Sequence, residues 1–76
     1  MMEFQYDKSV DILYIRFSKE KCDESDEICV GIIIDYNTEG NVIGIEILNF
    51  SQRKLDMNNL IKLSAEEIVP MVAQCL

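Results

Sequence analysis

Apolar and polar positions alternate over two stretches near the start of the chain, with the period of two that a half-buried strand requires. Phe4 and Tyr6 alternate with Glu3, Gln5 and Asp7, and Leu13, Ile15 and Phe17 alternate with Ile12, Tyr14 and Arg16. Asp7-Lys8-Ser9-Val10 between them has hairpin length, and its Asp and Ser are residue types whose side chains bond nearby backbone amides in turns. A second hairpin is signalled more strongly. Ile28 to Tyr36 and Val42 to Leu48 flank Asn37-Thr38-Glu39-Gly40, where Asn favours the loop start and Gly supplies a left-handed φ at its end. A four-residue loop sets Tyr36 against Asn41, Ile34 against Ile43, Ile32 against Ile45 and Val30 against Ile47. That register gives one continuous β-branched face, whereas a slip of one residue opposes Ile32 with Glu46. Strands are therefore predicted near 2–6, 11–17, 28–36 and 42–48.

The opposite face of the second hairpin is mixed, with Cys29, Gly31, Ile33 and Asp35 on one strand and Val42, Gly44, Glu46 and Leu48 on the other. Its glycines leave room for the helix or a second copy to approach the sheet. Beyond Leu48 the alternation stops. Asn49 to Arg53 reads as a turn or a single helical turn, followed by a mostly polar stretch from Asp56 to Asn59. A helix is predicted near 64–75: Ser64 and Glu67 form a capping box, and Leu63 and Ile68 are spaced as a hydrophobic staple. Ile68, Val69, Val72, Cys75 and Leu76 make its apolar stripe, with Met71 at the edge facing a partner. Pro70 deletes a backbone hydrogen bond and costs about 3 kcal/mol in a helix interior, which predicts a bend there or a boundary near Val69. The fold class is α+β: one domain over residues 1–76, a small twisted antiparallel sheet of about four strands packed with a short C-terminal helix. Ile33, Val42, Leu48 and Met71 are the candidate interface residues.

Length sharpens this picture. A chain of 76 residues buries only about 60% of the surface its unfolded form exposes, so a disulfide, a metal or a partner is the usual supplement to so small a core. The three cysteines, Cys22, Cys29 and Cys75, are an odd number with no Cys-x-x-Cys pair, and there is no histidine to complete a zinc site. They are expected as reduced, partly buried thiols, and neither metal nor cofactor is expected. Met1 to Asp7 carries acids and no basic n-region, so it does not read as a secretory signal. The longest apolar stretch, Ile28 to Ile34, falls far short of the roughly 20 residues of a membrane span. A soluble, cytoplasmic protein without a membrane partner is the expectation.

Fourteen acids oppose seven bases, for a net charge of −7. The cations Lys8, Arg16, Lys19, Lys21, Arg53, Lys54 and Lys62 are scattered, which disfavours nucleic acid as a partner. The densest acids, Glu20 to Glu27, read as a solvated loop between strands. Without histidine, acid–base chemistry falls to a carboxylate raised by burial, and Asp11, Asp35 and Glu46 are the carboxylates within strand sequence. Asp35 reads as a turn or edge residue and Glu46 as a solvent-facing alternation partner. Ser-x-x-Lys occurs at Ser18/Lys21 and Ser51/Lys54 in loop sequence without companion motifs. Gly31, Gly40 and Gly44 match no phosphate-binding spacing. No catalytic residue is assigned.

The segments Tyr6 to Ser18 (YDKSVDILYIRFS) and Ile32 to Arg53 (IIIDYNTEGNVIGIEILNFSQR) resemble the YuzE-like small bacterial proteins, catalogued as domain of unknown function 2283. The shared pattern is a Tyr-Asp start, an LYIRL-like strand, a DYDEDGN-like turn and a VGIEIL strand. The resemblance implies an α+β fold and a prokaryotic cytoplasmic setting, and it brings no activity or site residue. Asn37 and Thr38 depart from the acids commoner at that turn.

At 49% hydrophobic residues the chain has more apolar surface than one sheet–helix layer hides, which favours an interaction module and, most simply, a homodimer through the sheet or its edge. Its acidity and size equally suit the partner of a small basic protein, as in a toxin–antitoxin pair. A carboxylate-dependent enzyme is the third alternative.

Overall fold

The computed structural model describes residues 2–75. Five antiparallel strands, β1 (Glu3–Asp7), β2 (Ile12–Arg16), β3 (Glu24–Cys29), β4 (Ile32–Tyr36) and β5 (Val42–Leu48), form one sheet in the order β1-β2-β5-β4-β3. A single 3-10 turn at Phe50–Gln52 leads to two short helices, α1 (Met57–Leu60) and α2 (Ala65–Val72). The protein is thus α+β, with one strand more than the alternation predicts.

The sheet has one apolar face. Successive strand partners align Phe4, Ile15, Ile45 and Ile34 in one row and Tyr6, Leu13, Ile47 and Ile32 in the next. Leu13, Ile15, Ile32, Ile34, Ile45 and Ile47 are buried together with Leu55, Leu60, Ile68 and Val72, so the segment after β5 covers this face. Each such side chain, fully buried, contributes roughly 1.5–3 kcal/mol relative to exposure.

The extra strand corrects the reading of the acidic segment. Glu24 to Glu27 is not a loop but most of edge strand β3, and the stretch from Ile28 to Tyr36 is broken by a tight turn at Val30 and Gly31. Gly31, at φ 80°, holds that turn: its amide donates to Glu27 Oε2 (2.8 Å), and its carbonyl accepts from the Leu48 amide (2.8 Å). Arg53 closes the same corner, Nε donating to the Leu48 carbonyl (2.7 Å) and one terminal nitrogen to the Val30 carbonyl (2.8 Å). A Cβ on Gly31 would run into that guanidinium.

The register of β4 on β5 is also corrected. Ile34 meets Ile45 and Ile32 meets Ile47, two residues from the predicted pairing, while Val30 lies in the turn and is 91% exposed. Asn37 pairs with Asn41 (amide to carbonyl, 3.0 Å), so the loop tip is tighter and Tyr36 faces Val42. A shift of one residue alone would turn the isoleucines outward, but a bulge between Asp35 and Tyr36 adds the second and restores the apolar face. Asn37, only 5% exposed, organises the loop: Oδ1 accepts from the Glu39 and Asn41 amides (3.0 and 2.9 Å) and Nδ2 donates to Glu20 Oε1 (3.1 Å).

In the tail, the Ser64 amide donates to Glu67 Oε1 (2.9 Å), half of the capping box, and Leu63 packs on the core that holds Ile68. This bonding holds the Glu67 carboxyl below its usual range, the backbone of Ser64 contributing most and its side chain next. The helix runs through Pro70 to Val72 instead of stopping near Val69; with α2 beginning at Ala65, the missing amide serves only the carbonyl of exposed Glu66. The predicted stripe reaches Leu76, which lies outside the described residues. The cysteines differ from expectation as well. Cys29 and Cys75 are joined in a disulfide with Cα atoms 5.8 Å apart, leaving Cys22 as the free, exposed thiol.

Candidate binding face

The second face of the sheet follows from the same alternation. Gln5, Tyr14, Glu46, Ile33 and Glu27 make one cross-strand row, and Glu3, Arg16, Gly44, Asp35 and Ser25 the adjacent one. Asp7, Ile12 and Leu48 begin a third. Apart from the buried Gly44 these residues are half-buried or exposed, because the tail packs on the opposite side.

Asp35 and Glu46 are diagonal neighbours on this face. Gly44 lies directly across from Asp35, and its missing side chain relieves the backbone of β2: a Cβ there would stand 3.2 Å from the Ile15 carbonyl oxygen, a tight approach, and in ordinary contact, 3.5 Å, with Asp35 Oδ2. Ser25 Oγ, on the edge strand, donates to Asp35 Oδ1 (2.7 Å). Partial burial, the negative charge of Asp35 and a hydrogen bond from the protonated Glu46 carboxyl to Asp35 together raise the Glu46 pKa above the ordinary carboxylate value. Glu46 is the alternation partner on the open face, half-buried there beside a like charge, and Asp35 sits in the strand next to the bulge.

A cavity of about 220 Å³ opens beside Asp35, between the sheet and the β2–β3 crossover, whose Phe17 and Asp23 amides donate to the Ile43 and Tyr36 carbonyls. Tyr14, Arg16, Asp35 and Gly44 form its sheet side, and Ser18, Lys19, Glu20, Lys21 and Cys22 its crossover side. Ser18 and Lys21 both line it, yet Ser18 Oγ donates to Glu20 Oε2 (3.0 Å) and accepts from the Glu20 amide (3.1 Å).

Asp11 is elsewhere. It closes the β1–β2 connection at φ 56°, accepts from Tyr6 Oη (2.6 Å) and the Ser51 amide (3.0 Å) at Oδ1, and accepts from Ser51 Oγ (2.7 Å) at Oδ2. These donors, Tyr6 first, hold its carboxyl below the usual range, and the accepting Asp11 carboxylate raises the Tyr6 phenol in return. Both oxygens are engaged in tying the turn after β5 to the first hairpin, and Ser51 is engaged with them. The role is positional.

Of the four candidate interface residues, Ile33 and Leu48 stand on the open face, whereas Val42 and Met71 are half-buried against the core. The bulge at Asp35/Tyr36 brings Val42 to the core side, and Met71 is drawn in with α2 instead of facing outward. The sequence reading missed Tyr14, Arg16 and Ile12 as members of this face, although their period-two spacing with Leu13 and Ile15 places them there. Among the described residues, no three or more Cys, Asp or Glu side chains are grouped to hold a metal ion.

No curated protein and no solved structure matches the chain. The model of one family, described as Protein of unknown function (DUF2283), matches residues 3–51.

Proposed function

We propose that this chain, which belongs to the DUF2283 family, is a non-catalytic protein-interaction module whose open sheet face docks a cationic surface of another protein. The observation that carries this reading is the Asp35–Glu46 pair: two neighbouring, half-buried carboxylates on the face that the tail leaves open, one with a raised pKa. A lysine or arginine supplied by a partner relieves their mutual repulsion. Glu3, Asp7 and Glu27 extend the negative field around them, while Ile12, Tyr14, Ile33 and Leu48 offer apolar area for close contact. Such a surface suits the acidic member of a pair with a small basic protein, the arrangement of an antitoxin and its toxin-like partner.

A second reading, self-association, draws on Arg16, which faces Gly44 and through it Asp35 in one row. In a two-fold dimer the Arg16 of each copy reaches the carboxylates of the other. The setting we infer for either assembly is bacterial and cytoplasmic.

Light scattering after size exclusion, across dilution and salt, separates the two readings. A monomer at micromolar concentration supports the cationic partner, and a dimer that weakens with salt supports self-association. In pull-downs from the native host, the wild-type chain is expected to retain a basic protein that the Ile33→Glu/Glu46→Lys variant loses. Equal recovery by both, with a monomer throughout, overturns the proposal.

A further inference from the structure

We propose that Cys29 and Cys75 form a reversible thiol–disulfide latch, a redox modification site that pins the end of α2 to the β3–β4 hairpin. The two Cα atoms stand 5.8 Å apart, within the range a bridge spans without backbone movement. The bridge joins elements separated by 46 positions in sequence, so it ties the tail to the sheet rather than closing a local turn. Cys29 ends β3, half-buried against the core, while Cys75 is exposed just past α2.

Three features make the end of α2 the place where opening is felt. An eight-residue helix has little stability of its own and depends on packing through Ile68 and Val72. Pro70 removes one of its few backbone hydrogen bonds. Cys75 is held at φ 62°, a left-handed conformation uncommon outside glycine, its amide donating to the Val72 carbonyl (3.0 Å). The capping box secures the start of α2, and the bridge secures its finish.

The exchange is balanced by a low-molecular-weight thiol and its disulfide. The external thiolate attacks Sγ of Cys75, the more exposed of the two residues, the Cys29–Cys75 bond breaks, and Cys29 leaves as a thiolate that takes up a proton. A second thiol then attacks the mixed disulfide and releases Cys75. Two electrons and two protons pass to the protein, and two external thiols become one disulfide. In a reducing cytoplasm the latch stands open and oxidation closes it. Cys22, exposed and with Sγ 3.4 Å from Ser25 Oγ, lies outside the bridge.

The test uses the full chain equilibrated with oxidised glutathione and then with dithiothreitol. In the Cys22→Ser variant, whose remaining cysteines are the bridged pair, thiol titration is expected to find no reactive cysteine and intact mass no glutathione adduct under the first condition, and two reactive cysteines under the second. Closing a loop of this length shifts Tm by roughly 10 °C or more in so small a domain, so reduction should lower Tm by that amount. Hydrogen exchange from Val69 to Gln74 should accelerate at least tenfold while strand β5 keeps its protection. Cys75→Ser should reproduce the reduced state under either condition, and Cys22→Ser should behave as wild type; if Cys75→Ser fails to fold, the reduced wild type supplies the same comparison. Glutathione adducts on Cys29 or Cys75 of the Cys22→Ser variant in place of the bridge, a bridge mapped to Cys22 in the wild type, or equal Tm and α2 protection in both states overturns the latch.

Discussion

At the scale of single residues, polar side chains here act mostly as fasteners. Asp11 contributes stability that is present above its unfolded pKa, near 3.9, and is lost as pH falls through its lowered folded value. Glu46 has the opposite sign. Its folded pKa is raised, so its contribution is full below the unfolded value, near 4.3, and is lost as pH rises through the folded one. Glu46→Gln is therefore expected to raise Tm at pH 7, with the advantage over wild type vanishing below about pH 4; a series of melts across pH checks both parts. Asn37→Ala removes the acceptor of two loop amides at a buried position and should cost about 2 kcal/mol in urea unfolding. The importance of Asn37 was visible in sequence only as a favourable loop start. Its bond to Glu20, across seventeen positions, follows from the crossover path and has no local signature.

Elements show a sharper division between what periodicity reveals and what it conceals. β1, β2 and β5 alternate apolar with polar residues because one face packs and the other does not, so all three were legible. β3 was not: Glu24-Ser25-Asp26-Glu27 is polar on both faces, as an edge strand with little apolar cover on either side allows. α1 spans four residues, too few to show a helical period, and it is marked chiefly by Asp56 accepting from the Asn58 amide (3.2 Å). The β4–β5 faces were legible while the register was not, since pairings two residues apart present the same isoleucines. The corner where β3 turns into β4 gives a direct test. Gly31→Ala meets both a positive φ and the Arg53 guanidinium, and should cost more than about 1 kcal/mol. Arg53→Ala clears the collision but not the φ penalty, so the double variant should lose less than the sum of the singles in a denaturation cycle.

For the whole molecule, the open face was partly legible. Glu46, Ile33 and Leu48 were placed together from the alternation, but the Asp35–Glu46 neighbourhood depends on a bulge that no spacing announces. The disulfide escaped notice because cysteine counting registers the odd number, not the proximity of the chain end to the second hairpin. No helix among the described residues is long and apolar enough to cross a membrane. The segment that carries the family likeness, residues 3–51, supplies every strand, yet Leu55, Leu60, Ile68 and Val72 complete the buried core from beyond it. During synthesis those four emerge after the whole sheet. A nascent chain paused near residue 51 would present bare isoleucines along a ribbon with nothing yet available to shield them, so commitment to the folded state waits on translation of residues 55–72.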